Sequence, residues 1–99
     1  MREEEKRLSE LRGEVHRVTL EIFDLIERRL SLTREIGEVK RSLGLPVRNR
    51  VVERGLREKI RERCKESGVD ETFGLRLLEL LIEESVRLQK VDGCPEGRR

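Results

Sequence analysis

Apolar residues recur along the first part of the chain in alternating steps of three and four, at Leu8, Leu11, Val15, Val18, Ile22, Leu25, Leu32, Ile36, Val39 and Leu43. That spacing keeps one face of a single helix apolar, and it predicts a helix from about Leu8 to Leu43. Gly44 and Pro46 close the segment in the expected order, a glycine just past the helix and a proline that cannot continue it. A second helix is predicted from Asn49 as N-cap to about Glu66, ahead of Gly68, with Val52, Leu56, Ile60 and Cys64 on one side. A third starts behind Asp70 as N-cap and runs to about Lys90, carrying Phe73, Leu77, Leu78, Leu81, Ile82 and Val86. Residues 91–99 (Val-Asp-Gly-Cys-Pro-Glu-Gly-Arg-Arg) read as a frayed tail, so the chain divides into a helical domain, 1–90, and a tail, 91–99.

A helix of roughly 36 residues is about 54 Å long, whereas a compact domain of about 100 residues has a radius of gyration near 13 Å. Two shorter helices cannot cover a seam of that length. The expected architecture is therefore all-α, with three helices per chain, a long first helix and an intertwined helical homodimer closed by a two-fold axis. A solitary three-helix bundle needs a kink in the first helix, and no proline lies within residues 8–43 to make one.

Composition narrows the picture. Of the 99 residues, 34% are hydrophobic, 2% aromatic and 44% charged, so the core is aliphatic and a β-sandwich or barrel is disfavoured. Lys and Arg number 23 against 21 Asp and Glu, and the signs are interspersed, which gives no concentrated basic face for nucleic acid. No apolar run approaches the roughly 20 residues that span a bilayer, and the start Met-Arg-Glu-Glu-Glu-Lys lacks a signal-peptide core; a cytoplasmic protein with no membrane partner is expected. Cys64 and Cys94 have neither metal spacing nor a partnering histidine, so no metal site or disulfide framework is expected.

The chemical signal lies where polar residues replace apolar ones. Arg29 stands in the seam of the first helix, and a buried guanidinium without a partner costs several kcal/mol, so something anionic should meet it. A glutamate would serve as well as a ligand. Lys40 follows 11 residues later, three turns on and about 20° around, roughly 16 Å away along the axis, and the two side chains can converge on one small dianion; a solvated lysine near a helix end is the other reading. In the third helix Leu78, Ile82, Ser85 and Gln89 continue one stripe, its last two members polar, and Gln89 is the chain's only glutamine. Glu53 lies one turn after Asn49, as a binding acceptor or as an exposed first-turn carboxylate. His16, the sole histidine, has no companion at a catalytic spacing. With no nucleophile–base pair and no glycine-rich phosphate loop, the candidates suit binding and charge stabilisation rather than covalent or acid–base chemistry.

The order Leu11-Arg12, Glu27-Arg28-Arg29, Ile36-Gly37-Glu38-Val39-Lys40, Pro46-Val47-Arg48-Asn49, Glu53-Arg54 and Leu81-Ile82-Glu83-Glu84-Ser85-Val86-Arg87-Leu88-Gln89 resembles the all-helical class of chorismate mutases, over about residues 8–90. The resemblance implies an intertwined dimer that converts chorismate to prephenate, on the branch toward phenylalanine and tyrosine, without a cofactor. It implies that Arg29 and Arg12 bind the two substrate carboxylates, with Arg12 reaching in from the partner chain. Arg12 and Arg29, about 25 Å apart along one helix and about 100° around it, are too distant to clasp one small molecule in cis. The resemblance also implies that Lys40 and Gln89 donate to the ether oxygen, that Glu53 accepts from the ring hydroxyl, and that Ser85 makes a secondary carboxylate contact. Two positions depart from the pattern. Asn49 stands where Asp is frequent, which keeps a hydroxyl contact without the charge, and Val52 stands where some members carry a further arginine, whose part falls to Arg48 or Arg54 or is missing. The rival readings are an isochorismate pyruvate-lyase on the same scaffold, a non-enzymatic helical dimerisation module, and a regulatory piece of a bifunctional polypeptide. A dimerisation module gives no reason for Arg29, Lys40, Ser85 and Gln89 to replace apolar residues together.

Overall fold

The computed structural model describes residues 2–93, and among them there are three helices and no strand. Helix α1 spans Glu3–Leu43, α2 spans Arg50–Ser67 and α3 spans Glu71–Gly93. The predicted helices are all present, with α1 beginning about a turn earlier than the apolar pattern suggests. Glu3, Glu4 and Glu5 occupy its first turn, where carboxylates favour the positive end of the helix dipole. Helix α3 continues to Gly93, so residues 91–93 of the predicted tail are helical; Cys94 and the rest of that tail lie outside the described residues.

The helix ends follow local chemistry. Gly44 adopts φ +69°, its N–H bonds Arg41 O at 3.2 Å and the Leu45 N–H bonds Lys40 O at 2.8 Å, the paired bonds of a glycine-terminated helix. Asn49 is extended (φ −126°, ψ 99°), and its side-chain oxygen accepts from the Val51 and Val52 N–H groups, both at 3.1 Å. A cap of this kind contributes about 0.5–2 kcal/mol. Gly68 ends α2 at φ +78°, and the Asp70 carboxylate accepts from the Phe73 N–H at 2.9 Å to open α3.

The chain forms two units, Met1–Leu32 and Thr33–Arg99. In the first, Leu8, Leu11, Val15, Val18, Ile22 and Leu25 are all exposed. The second holds the core. Its α2 and α3 run antiparallel, tied by Arg61–Glu71 at one end and Arg57–Glu79 further along. The last turns of α1, from Thr33, run parallel to α3 at a constant offset of 52 residues, with Thr33 against Ser85 and Gly37 against Gln89. Cys64, Leu78, Ile82 and Leu88 are its buried hydrophobic residues. Gly74 makes the α2–α3 approach possible, because a Cβ there would lie 2.6 Å from Cys64 Sγ. Leu56 and Ile60 are half-buried as the pattern of α2 implies, but Val52, Phe73 and Leu77 are exposed. Leu32, Ile36, Val39 and Leu43 are exposed as well: α1 meets α3 through the neighbouring positions Thr33, Gly37 and Lys40. Small and polar residues make that contact, and the apolar stripe is left over.

Candidate active site

The end of α1, the connector 44–49 and the end of α3 enclose a pocket of about 340 Å³, lined by Gly37, Lys40, Arg41, Leu45, Val47, Gln89 and Lys90. Such a volume suits a small molecule. Its walls combine the apolar Leu45 and Val47 with three cations, Lys40, Arg41 and Lys90, a lining suited to a compact anion with an apolar frame. Arg41 and Lys90 carried no signal in the sequence, since both sit at helix ends where a basic residue needs no further explanation.

Two of the expected residues meet here. Lys40 Nζ donates to Gln89 Oε1 at 3.1 Å and also to the Val47 carbonyl. An ammonium has three hydrogens and no lone pair, so two are engaged and one remains to be directed at a ligand. The same fact orients Gln89, which is only 7% exposed. Lysine can only donate, so the atom facing it is the amide oxygen, and the NH₂ is the group that Gln89 can present elsewhere. Gly37 makes room for that arrangement, since a Cβ on it would lie 3.0 Å from Gln89 Cγ.

Glu53 is 6% exposed in the first turn of α2, which removes the reading of an exposed surface carboxylate. Arg48 grips it with two parallel hydrogen bonds, Nε to Oε2 at 3.0 Å and Nη2 to Oε1 at 2.7 Å. Arg50 Nη1 and Arg57 Nη2 lie 3.7 and 3.9 Å from Oε1. The hydrogen bond from Arg48, with the positive charges of Arg48, Arg50 and Arg57, holds the Glu53 carboxyl below the usual carboxylate range against the opposing effect of burial. Arg57 in turn binds Glu79 at 2.6 and 3.1 Å. This network joins the connector, α2 and α3; the sequence singled out Glu53 as an acceptor and named Arg48 only as a substitute for the arginine missing at Val52, while Arg50, Arg57 and Glu79 went unmarked.

The remaining candidates are placed as follows. Ser85 is buried; its hydroxyl donates to Leu81 O at 2.9 Å and lies 3.3 Å from Thr33 Oγ1, so its visible work is to join α1 and α3. Asn49 engages its side-chain oxygen in capping α2, which leaves its NH₂ as the group for any hydroxyl contact. Arg29 is half-buried, and desolvation lowers its pKa from the ordinary arginine value; the guanidinium remains charged, so the shift registers the cost of removing it from water. Arg12 is exposed on the first unit. Among the described residues no cluster of His, Cys, Asp and Glu could hold a metal ion, and no helix is long and apolar enough to cross a membrane.

One parallel and one antiparallel helix contact frame a cation-lined pocket of small-molecule size in which Lys40 and Gln89 meet. Residues 11–90 match the family described as chorismate mutase type II, and the chain belongs to that family of isomerases acting on chorismate. Comparison with curated proteins gives no match, and comparison with solved structures gives none.

Proposed function

We propose that the chain catalyses the rearrangement of chorismate to prephenate in a site completed by a second copy of itself. The observation that carries this reading is the Lys40–Gln89 pair, which presents one remaining ammonium hydrogen and one amide NH₂ from adjoining positions in an anion-suited pocket. The reaction is a [3,3]-sigmatropic shift. The ether C–O bond breaks as a C–C bond forms within one molecule, so no proton, cofactor or metal has to be exchanged. Negative charge grows on the ether oxygen as the bond stretches, and donors fixed in advance lower the barrier more than they stabilise the ground state. In this reading Lys40 and Gln89 are those donors, and each such contact is worth about 3–4 kcal/mol in comparable oxyanion sites.

The other residues hold the flexible dianion in its chair-like reactive conformer, the orientation part of catalysis. Arg29 and the partner subunit's Arg12 pair with the carboxylates. Glu53 accepts from the ring hydroxyl, with Asn49 beside it, and Ser85 turns its hydroxyl to a carboxylate when substrate is bound. A homodimer is supported by the ten apolar residues of the α1 stripe, which are 40–66% exposed in the single chain. Burying that stripe against its two-fold copy is the simplest closed arrangement. Residues 1–90 then act as one functional domain in the dimer.

The test is to mix purified protein with chorismate, follow loss of its ultraviolet absorbance and identify the product by NMR. Prephenate formed without added metal or cofactor supports the reading. Release of pyruvate from isochorismate, with chorismate untouched, would assign the scaffold to lyase chemistry instead.

A further inference from the structure

Adjacent residues of the connector are held by two different candidate side chains. Lys40 binds the Val47 carbonyl, and Glu53 receives both arms of the Arg48 guanidinium. We propose that Arg48 is a positioning residue of the active site, a two-point anchor that keeps the Glu53 carboxylate ionised and aimed so that it can accept the substrate's hydroxyl. The inference rests on the reading of Glu53 as that acceptor.

A carboxylate has about four lone-pair sites, and the bidentate arginine uses one on each oxygen, so acceptor capacity remains after Arg48 is bound. The side chain of Glu53 is 8% exposed, and an acid so enclosed without a close cation has its pKa pushed up by desolvation. Other cations are less able to replace Arg48. Arg57, from α2, stands 3.9 Å away and is held by Glu79 of α3 at 2.6 Å. Arg50, also from α2, is 3.7 Å away on a side chain that is 67% exposed. Glu79, behind Arg57, adds a negative charge that opposes ionisation of Glu53. Arg48 is thus the contact that decides the protonation of Glu53, and its fork also fixes the plane of the carboxylate, which a single point charge does not.

The direction of the pH effect follows. With Arg48 present the Glu53 pKa is depressed, so the ionised acceptor persists into acid solution. Without it, burial is opposed only by the more distant charges of Arg50 and Arg57, so protonation sets in at higher pH and converts the acceptor into a group that can donate. The test compares the wild-type chain with Arg48→Gln and Arg48→Lys in two measurements. One is a ¹³C titration of the Glu53 carboxyl in the free protein, and the other is the pH profile of kcat at saturating chorismate, whose own carboxyls titrate alike in every variant. Arg48→Gln should raise the carboxyl midpoint by about one pH unit or more and move the acid limb of kcat upward with it. Arg48→Lys, which restores charge but not the fork, should fall between. If Arg48→Gln does not fold by circular dichroism, the intermediate shift in Arg48→Lys decides. An acid limb of kcat that stays at the wild-type position overturns the proposal, whatever the carboxyl titration shows. Glu53→Gln then separates the causes: reduced kcat leaves the acceptor reading standing without Arg48, and wild-type kcat removes both.

Discussion

Gly37→Ala isolates the placement of Gln89 from the rest of the fold. The new Cβ would lie 3.0 Å from Gln89 Cγ, 3.4 Å from its Cβ and 3.6 Å from its Cα. Carbon atoms pack best at about 3.5–4.0 Å, so the first contact is short by roughly half an ångström and the glutamine side chain has to yield. In stability the two consequences oppose each other. Alanine is better than glycine in a helix interior by up to about 1 kcal/mol, and overpacking costs about 1–3 kcal/mol. The net change should be a loss of no more than about 3 kcal/mol, with the chain still folded. Activity has no such offset. A misplacement of about 1 Å costs on the order of 10²-fold in rate, so a shift of half that should lower kcat by about tenfold. Steady-state kinetics on chorismate, with thermal melts on the same samples, would measure both. Gly55→Ala is the control, since nothing lies within 4 Å of a Cβ there; it should stabilise the protein by about 0.5–1 kcal/mol and leave kcat alone. Wild-type kcat in a folded Gly37→Ala protein would refute the account of how Gln89 is held.

Three further outcomes follow from the same geometry. Gln89→Glu should give a rate that rises as pH falls, because a carboxylate donates only when protonated and the Lys40 ammonium, 3.1 Å from Gln89 Oε1, favours its ionised form; an unchanged profile would remove Gln89 from the mechanism. Lys40→Ala should lower kcat by roughly 10²-fold or more, whereas Arg29→Ala should also weaken substrate binding, since a carboxylate contact exists in both ground and transition states; equal effects of the two on KM would contradict the division of roles. The unfolding midpoint should rise with protein concentration, as it does for an obligate dimer, and sedimentation showing a fully helical monomer at micromolar concentration would leave the α1 stripe unexplained.

The elements were legible because their signals are local. Asn49, Gly44, Gly68 and Asp70 act through bonds to residues a few positions away, so each could be read as a cap from sequence alone. The stripe of α1 was legible as a stripe, but the contact that α1 makes within its own chain was not. Inside the chain, α1 meets α3 through Thr33, Gly37 and Lys40, one position round from the apolar residues, and small or polar side chains carry no hydrophobic periodicity. Gln89 stood out as a polar residue ending an apolar row, whereas the burial of Glu53 did not. It depends on Arg48 from the connector and on Arg57, itself fixed by Glu79, 22 residues away on another helix. Charged residues make up 44% of the chain, so no single arginine or glutamate announces its partner in sequence.

A site that takes Lys40 from one chain and Arg12 from the other has a consequence that no single-chain site shares. Arg12→Ala and Lys40→Ala should each be nearly inactive as homodimers. In a mixed dimer both defects fall in one site and the other site is whole. Unfolding the two variants together and refolding them should therefore restore activity toward chorismate, up to about one quarter of wild type when chains pair at random. No recovery, with heterodimers demonstrated by mass, would mean that Arg12 does not act across the interface and that the shared site is wrong.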